Sequence, residues 1–168
     1  MQDSTRLAVD TNFLMDLAHP EDVAQDALEV IHRKVRGPQL YATTTVLKET
    51  FRKAQKAPDP GTRADAVRAI AGMKEWGVFA YELNDLHSII ARAVANNLLA
   101  EGVIPPEERN DALIIAEAAV LDCQLLVSSD SHLCRANRER LGQVLRASKV
   151  SPVMVLSPKD IVRMFAGK

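Results

Sequence analysis

Aromatic residues are scarce in this sequence: four Phe, two Tyr and one Trp among 168 residues. That argues against a nucleic-acid surface built mainly on stacked rings. Cysteine is scarcer still. Cys123 and Cys134 make no CxxC pair and no disulfide framework. Both read as inert packing residues, in a strand and a helix respectively, and a reducing cytoplasm is the expected setting. No apolar run is long enough to span a bilayer, so no membrane partner is expected. The start Met1-Gln2-Asp3-Ser4 carries no signal-peptide pattern, so export is not expected either. Charge of one sign is also lacking. The formal net charge is -1, so any basic patch for a polyanion must be local. The four histidines show no ligand spacing. His19, His32 and His87 read as fillers, and only His132, two residues after Asp130, stands where it could face a phosphate. The G-x-S-x-G, H-E-x-x-H, P-loop and G-x-G-x-x-G patterns are all missing, which removes the nucleophile-elbow, zincin and nucleotide-cradle chemistries.

What is present is a globular composition, 47% apolar and 26% charged. The length suits one domain over residues 1–168 with a sizeable core. Short apolar runs alternate with helical periodicity. Leu7-Ala8-Val9 reads as a first strand, residues 39–44 as a second, 77–83 as a third, 123–127 as a fourth and 153–156 as a fifth. Between them lie helices. One is opened by Glu21-Asp22 and stopped by Gly37-Pro38. The next is capped by Thr44 or Thr45, with Val46, Leu47, Thr50, Phe51 and Ala54 inward. After a loop at Pro58-Asp59-Pro60-Gly61, another runs from about Thr62 to Lys74 with Val67, Ile70 and Ala71 inward. A long helix keeps its period through Leu86, Ile89, Ile90, Ala93, Val94, Asn97 and Leu98. Pro105-Pro106 opens the following one. A basic helix follows Ser128-Ser129-Asp130, and Ser157-Pro158 starts the last. This alternation implies a parallel α/β sheet covered on both faces.

Three acids stand out against this frame. Asp10 ends the first strand and is followed by Thr11 and Asn12. Asp130 ends the fourth, after Ser128 and Ser129. Either could be an ordinary helix N-cap. Asp111 lies three, four, seven and eight residues before Ile114, Ile115, Ala118 and Ala119, in register with their buried face, where a carboxylate is costly unless paired. Glu107, Glu108 and Glu117 read as exposed acids. If the two strands are neighbours, the three aspartates converge. Converging carboxylates repel unless a cation is present, and a hard divalent ion takes oxygen ligands. Such a site activates water and stabilises charge on a phosphoryl group. Thr11, Asn12, Ser128 and Ser129 could orient these groups, or serve only as turn and cap residues.

Asp10-Thr11-Asn12, the stretch from Asn110 to Ala118 and the stretch from Leu126 to Leu133 together resemble the acidic motifs of PIN-domain ribonucleases, with the VapC-like toxins as the nearest flavour. The resemblance spans nearly the whole chain. It implies a three-layer α/β/α fold with a five-stranded parallel sheet in order 3-2-1-4-5. It implies a Mg²⁺- or Mn²⁺-dependent pocket that hydrolyses single-stranded RNA, with Asp10, Glu49, Asp111 and Asp130 as catalytic and metal-binding acids. A protein antitoxin and a homodimer are the partners it implies. Glu49 enters by resemblance alone: it falls off the apolar stripe of its helix and could simply pair with Lys53. Glu82 and Asp85 are the substitutes if Glu49 points away. Leu133 stands where the family often has an aromatic residue, and residues 53–76 lengthen the chain beyond a typical toxin of this type.

Two other readings stay open: a PIN-like module that binds RNA or protein with little catalysis, and a phosphoacceptor receiver domain. The receiver fits less well, since the first strand ends in no acidic pair and no suitable Lys follows the last. Lys48, Arg52, Lys53 and Lys56 on one helix, and Arg135, Arg138 and Arg140 on another, are either solvated faces or flanks that hold RNA phosphates.

Overall fold

The computed structural model describes residues 4–166; the start at Met1-Gln2-Asp3 lies outside them. Strands β1 (Thr5–Val9), β2 (Pro38–Thr43), β3 (Val78–Tyr81), β4 (Leu125–Val127) and β5 (Met154–Leu156) form one sheet in the order β3-β2-β1-β4-β5. Every pairing is parallel, so each connection is a crossover. Among the described residues eight helices make the connections, α1 (Thr11–Asp16), α2 (Val23–Lys34), α3 (Thr44–Lys56), α4 (Pro60–Gly72), α5 (Asp85–Ala100), α6 (Arg109–Val120), α7 (Ser131–Arg135) and α8 (Arg138–Ala147), and a ninth, α9 (Pro158–Phe165), follows β5.

The central strand shows why the sheet is covered on both faces. Leu7, Ala8 and Val9 point alternately up and down, and all three are fully buried. One apolar core runs from them through Leu40, Phe13, Ile115 and Leu126. The outer strands are the wet ones: Phe79 and Tyr81 on β3 and Met154 on β5 are exposed. Gly37 and Gly77 take positive φ, 54° and 70°, where a helix hands over to β2 and β3. The carboxyl ends of β1 and β4 are tied together, since the Asp10 amide donates to the Val127 carbonyl at 3.0 Å.

Several helix faces differ from those read in the sequence. In α4 the buried residues are Ala66 and Ala69, while Val67 is exposed; the helix starts at Pro60, earlier than its apolar residues suggest, with Asp59 capping it through the Thr62 amide at 2.7 Å. The long helix α5 buries Ala91, Val94, Ala95 and Leu98 and exposes Leu86 and Ile89. It carries two apolar faces, and the small one packs on α6. Phe51 of α3 is exposed. Pro105 and Pro106 lie in the loop before α6, which begins at Arg109. The basic segment after Asp130 is two helices, broken where the Asn137 side chain caps α8 through the Arg140 amide.

Candidate active site

The site is assembled at the carboxyl ends of the two central strands, where an open α/β sheet gathers its ligands. Asp10 follows β1 and caps α1: its Oδ1 accepts the Phe13 amide at 2.7 Å. Its Oδ2 accepts the Ser128 hydroxyl. The residue is buried, and that burial, opposed by the Ser128 and Phe13 bonds, pushes its carboxyl up to about 6. The charge of Asp130 pushes the same way.

Asp130 follows β4 and caps α7, its Oδ1 accepting the His132 amide at 2.7 Å. Ser128 joins the two strand-end acids. Its hydroxyl donates to Asp10 and accepts the Asp130 amide at 3.0 Å. A cap explains each bond singly. It does not explain why two caps are brought close enough to repel.

Asp111 reaches the same place from the first turn of α6. Burial lifts its carboxyl to about 7, and the charges of Asp130, Glu108, Asp10 and Glu49 add to the lift. Among the described residues its side chain has no hydrogen bond and no ion pair. It is the acid of the group left free to take a proton or a ligand.

Glu49 turns inward from α3 and not toward Lys53. Oε2 accepts the Thr11 hydroxyl, and Oε1 accepts Asn110 Nδ2 at 2.7 Å. The four acids Asp10, Glu49, Asp111 and Asp130 therefore border one region, with Thr11 and Ser128 as their tethers. Glu82 and Asp85 are not needed as substitutes; both are exposed, beyond the end of the edge strand β3. Asn12 and His132 are exposed too; among the described residues the buried Ser129 Oγ has no hydrogen bond of ordinary geometry, though it lies close enough to Asp16 to oppose the lift that burial gives that carboxyl. Beside Glu49 and Asn110 lies a cavity of about 230 Å³, lined also by Thr45, Lys48, Arg52 and Leu113.

Glu117 corrects the sequence reading. It is 5% exposed, not a surface acid. Its carboxylate accepts the Thr43 hydroxyl at 2.7 Å, the Thr45 hydroxyl at 2.7 Å and the Thr45 amide at 3.1 Å. Thr43, the N-cap residue of α3, makes no side-chain cap bond to its own helix. The cap comes instead from α6, and neither Thr44 nor Thr45 supplies it. Burial raises the Glu117 carboxyl, and the bonds from both threonines oppose that.

The donor set is all oxygen, which fits a hard divalent cation. As posed, no three His, Cys, Asp or Glu side chains among the described residues converge closely enough to hold an ion. Glu49 and Asp130 are held by neighbouring donors, and Asp111 is open.

The PIN domain family profile matches residues 7–139, which include all four acids. Among solved structures, the chain is similar to VapBC2 from Rickettsia felis, solved bound to a DNA fragment from its promoter. The TM-score is 0.61 at 12% identity, over 91% of this chain and 98% of that one. No curated protein matches.

Proposed function

Because the chain belongs to the PIN-domain family, we propose that it is a metal-dependent endoribonuclease that hydrolyses phosphodiester bonds of single-stranded RNA at Asp10, Glu49, Asp111 and Asp130. One observation carries the reading. Asp10 and Asp111 stand 101 positions apart in sequence, yet both carboxyls are lifted, to about 6 and about 7, and the charge of Asp130 adds to the lift of each. Burying carboxylates beside like charge costs stability rather than adding it.

The residues divide the work. Ser128 and the Phe13 amide hold Asp10 in one orientation. Thr11 and Asn110 do the same for Glu49. Asp111, unbonded, is the carboxylate most free to ligate a cation, and a bound cation would draw its carboxyl down from about 7 so that it is ionised near neutral pH. Mg²⁺ or Mn²⁺, when bound by these acids, would supply the positive charge that relieves their repulsion and polarises the phosphoryl oxygens. Lys48 and Arg52, beside Glu49, would hold the flanking phosphates.

The resemblance to VapC-like toxins extends the reading to the toxin of a toxin–antitoxin pair, with an antitoxin and a second copy of the chain as partners. The spread of the acids favours a second reading, a weakly catalytic module that binds RNA or protein. Cleavage of labelled single-stranded RNA with Mn²⁺ separates the two. The wild type cleaves; Asp10→Asn and Asp111→Asn keep the fold by circular dichroism and lose at least about a hundredfold in rate. Wild-type rates in both variants would remove the site, and an inactive wild type that still binds RNA would establish the module.

A further inference from the structure

A buried acid that takes no part in the site is normally removed by selection or paired with a cation. Glu117 is paired with hydroxyls and an amide, all from one short stretch. Its Oε2 takes the Thr43 hydroxyl, its Oε1 takes the Thr45 hydroxyl, and the Thr45 amide lies 3.1–3.2 Å from both oxygens. That stretch is the junction where β2 becomes α3, the helix that carries Glu49. Glu117 itself sits two turns along α6 from Asp111 and Asn110. Two connections therefore run between α6 and α3: Glu117 to the first turn of α3, and Asn110 to Glu49 in its second turn.

We propose that Glu117 is a positioning residue, a carboxylate clamp from α6 that fixes the start of α3 and so sets Glu49 against Asp111. The proposal rests on the nuclease reading for its consequence, though not for its geometry. A helix pinned at one end by three donors cannot rotate about its axis without breaking them. Glu49 is about one and two-thirds turns on from Thr43 and would swing with any such rotation. The clamp also supplies the negative group that the unsatisfied amides of α3 require. Thr43 cannot do so, because its hydroxyl points to Glu117.

A gap left in the core would also lower activity, so the test must separate position from stability. Four proteins are compared: wild type, Glu117→Ala, Glu49→Ala and the double variant. The first readout needs no metal. In Glu117→Ala, the Asn110 side-chain amide resonances move toward their positions in Glu49→Ala, because their acceptor has moved. The second is Mn²⁺ affinity by calorimetry, well below the melting temperature. Glu117→Ala weakens it about 10–100-fold, as loss of a supporting group does at metal sites. In the Glu49→Ala background the same change adds less than about twofold. Glu117→Gln, whose amide can accept from Thr45 and donate to Thr43, restores both readouts. Asn110 resonances unmoved in Glu117→Ala, or equal losses of affinity in both backgrounds, would overturn the clamp. Absence of Mn²⁺ binding in the wild type would overturn the metal site and leave the resonance test standing. Should Glu117→Ala fail to fold, Thr45→Val removes one hydroxyl donor and gives a smaller shift of the same signals.

Discussion

At the scale of single residues the site is a contest between desolvation and hydrogen bonding. Ser128 shows it best, since one hydroxyl donates to Asp10 and accepts the amide of Asp130. The pH dependence follows from the sign of the shifts. Asp10 and Asp111 bind protons more tightly folded, at about 6 and about 7, than at the ordinary 3.8. Between pH 4 and 7 the folded chain therefore holds more protons than the unfolded one, and stability falls as pH rises. In chelator, the melting temperature should drop between pH 4 and 7, and Asp111→Asn should flatten the drop; a flat wild-type profile would contradict the shifts. The titration belongs to the cluster rather than to either acid. Asp10 and Asp111 are legible in the sequence because local rules mark them, a strand end for one and a core register for the other. Glu49 is not, because its partners Thr11 and Asn110 lie 38 and 61 positions away. Glu117 was open to a better reading. From Ala112 to Leu121 it is the only charge, and a helix apolar on all sides is buried on all sides.

At the scale of elements, α3 has two jobs. It carries Glu49 and the first-turn amides that Glu117 caps. The arc that holds Glu49, away from the buried Val46, Leu47 and Thr50, also carries Lys48, Arg52, Lys53 and Lys56, of which Arg52 borders both the cavity at Glu49 and a second one lined by Lys53, Lys56 and Thr62. Among the described residues none of the four is in a salt bridge. A run of unpaired cations leading away from an acidic pocket suits a phosphate backbone. Replacing Arg52 by Ala should weaken binding of single-stranded RNA without regard to sequence, and should lower the salt dependence by about one unit of slope in a log–log plot. An unchanged slope would return these residues to a solvated face. Order and type of the elements follow from periodicity alone, but which face of α4 or α5 is buried does not. Both helices offer two apolar stripes, and the choice is made by the small residues that let a neighbour approach: Ala66 and Ala69 in one, Ala91 and Ala95 in the other.

For the molecule as a whole, the exposed side of α5 is the largest departure from the expected pattern. Leu86 is 64% exposed and Ile89 57%, and neither is used by the core. Such side chains suit the proposed homodimer. Sedimentation should then show a dimer that Ile89→Glu converts to monomer; a monomeric wild type would end that proposal. Phe79 and Tyr81 form a second exposed group, an aromatic pair on the β3 edge that composition alone hides, backed by the partly buried Tyr41, which meets Tyr81 edge-on at 5.8 Å. None of the described helices is long and apolar enough to cross a membrane. The sheet order and the acids at its carboxyl edge together carry the central claim, that four carboxylates from distant parts of the chain form one cation site. The most direct test is calorimetric titration of Mn²⁺ into the wild type and into the Asp10→Asn, Asp111→Asn double variant at pH 8. Saturable binding by the wild type that disappears in the double variant is the predicted result. Equal binding by both proteins, or none by either with RNA present, would contradict it.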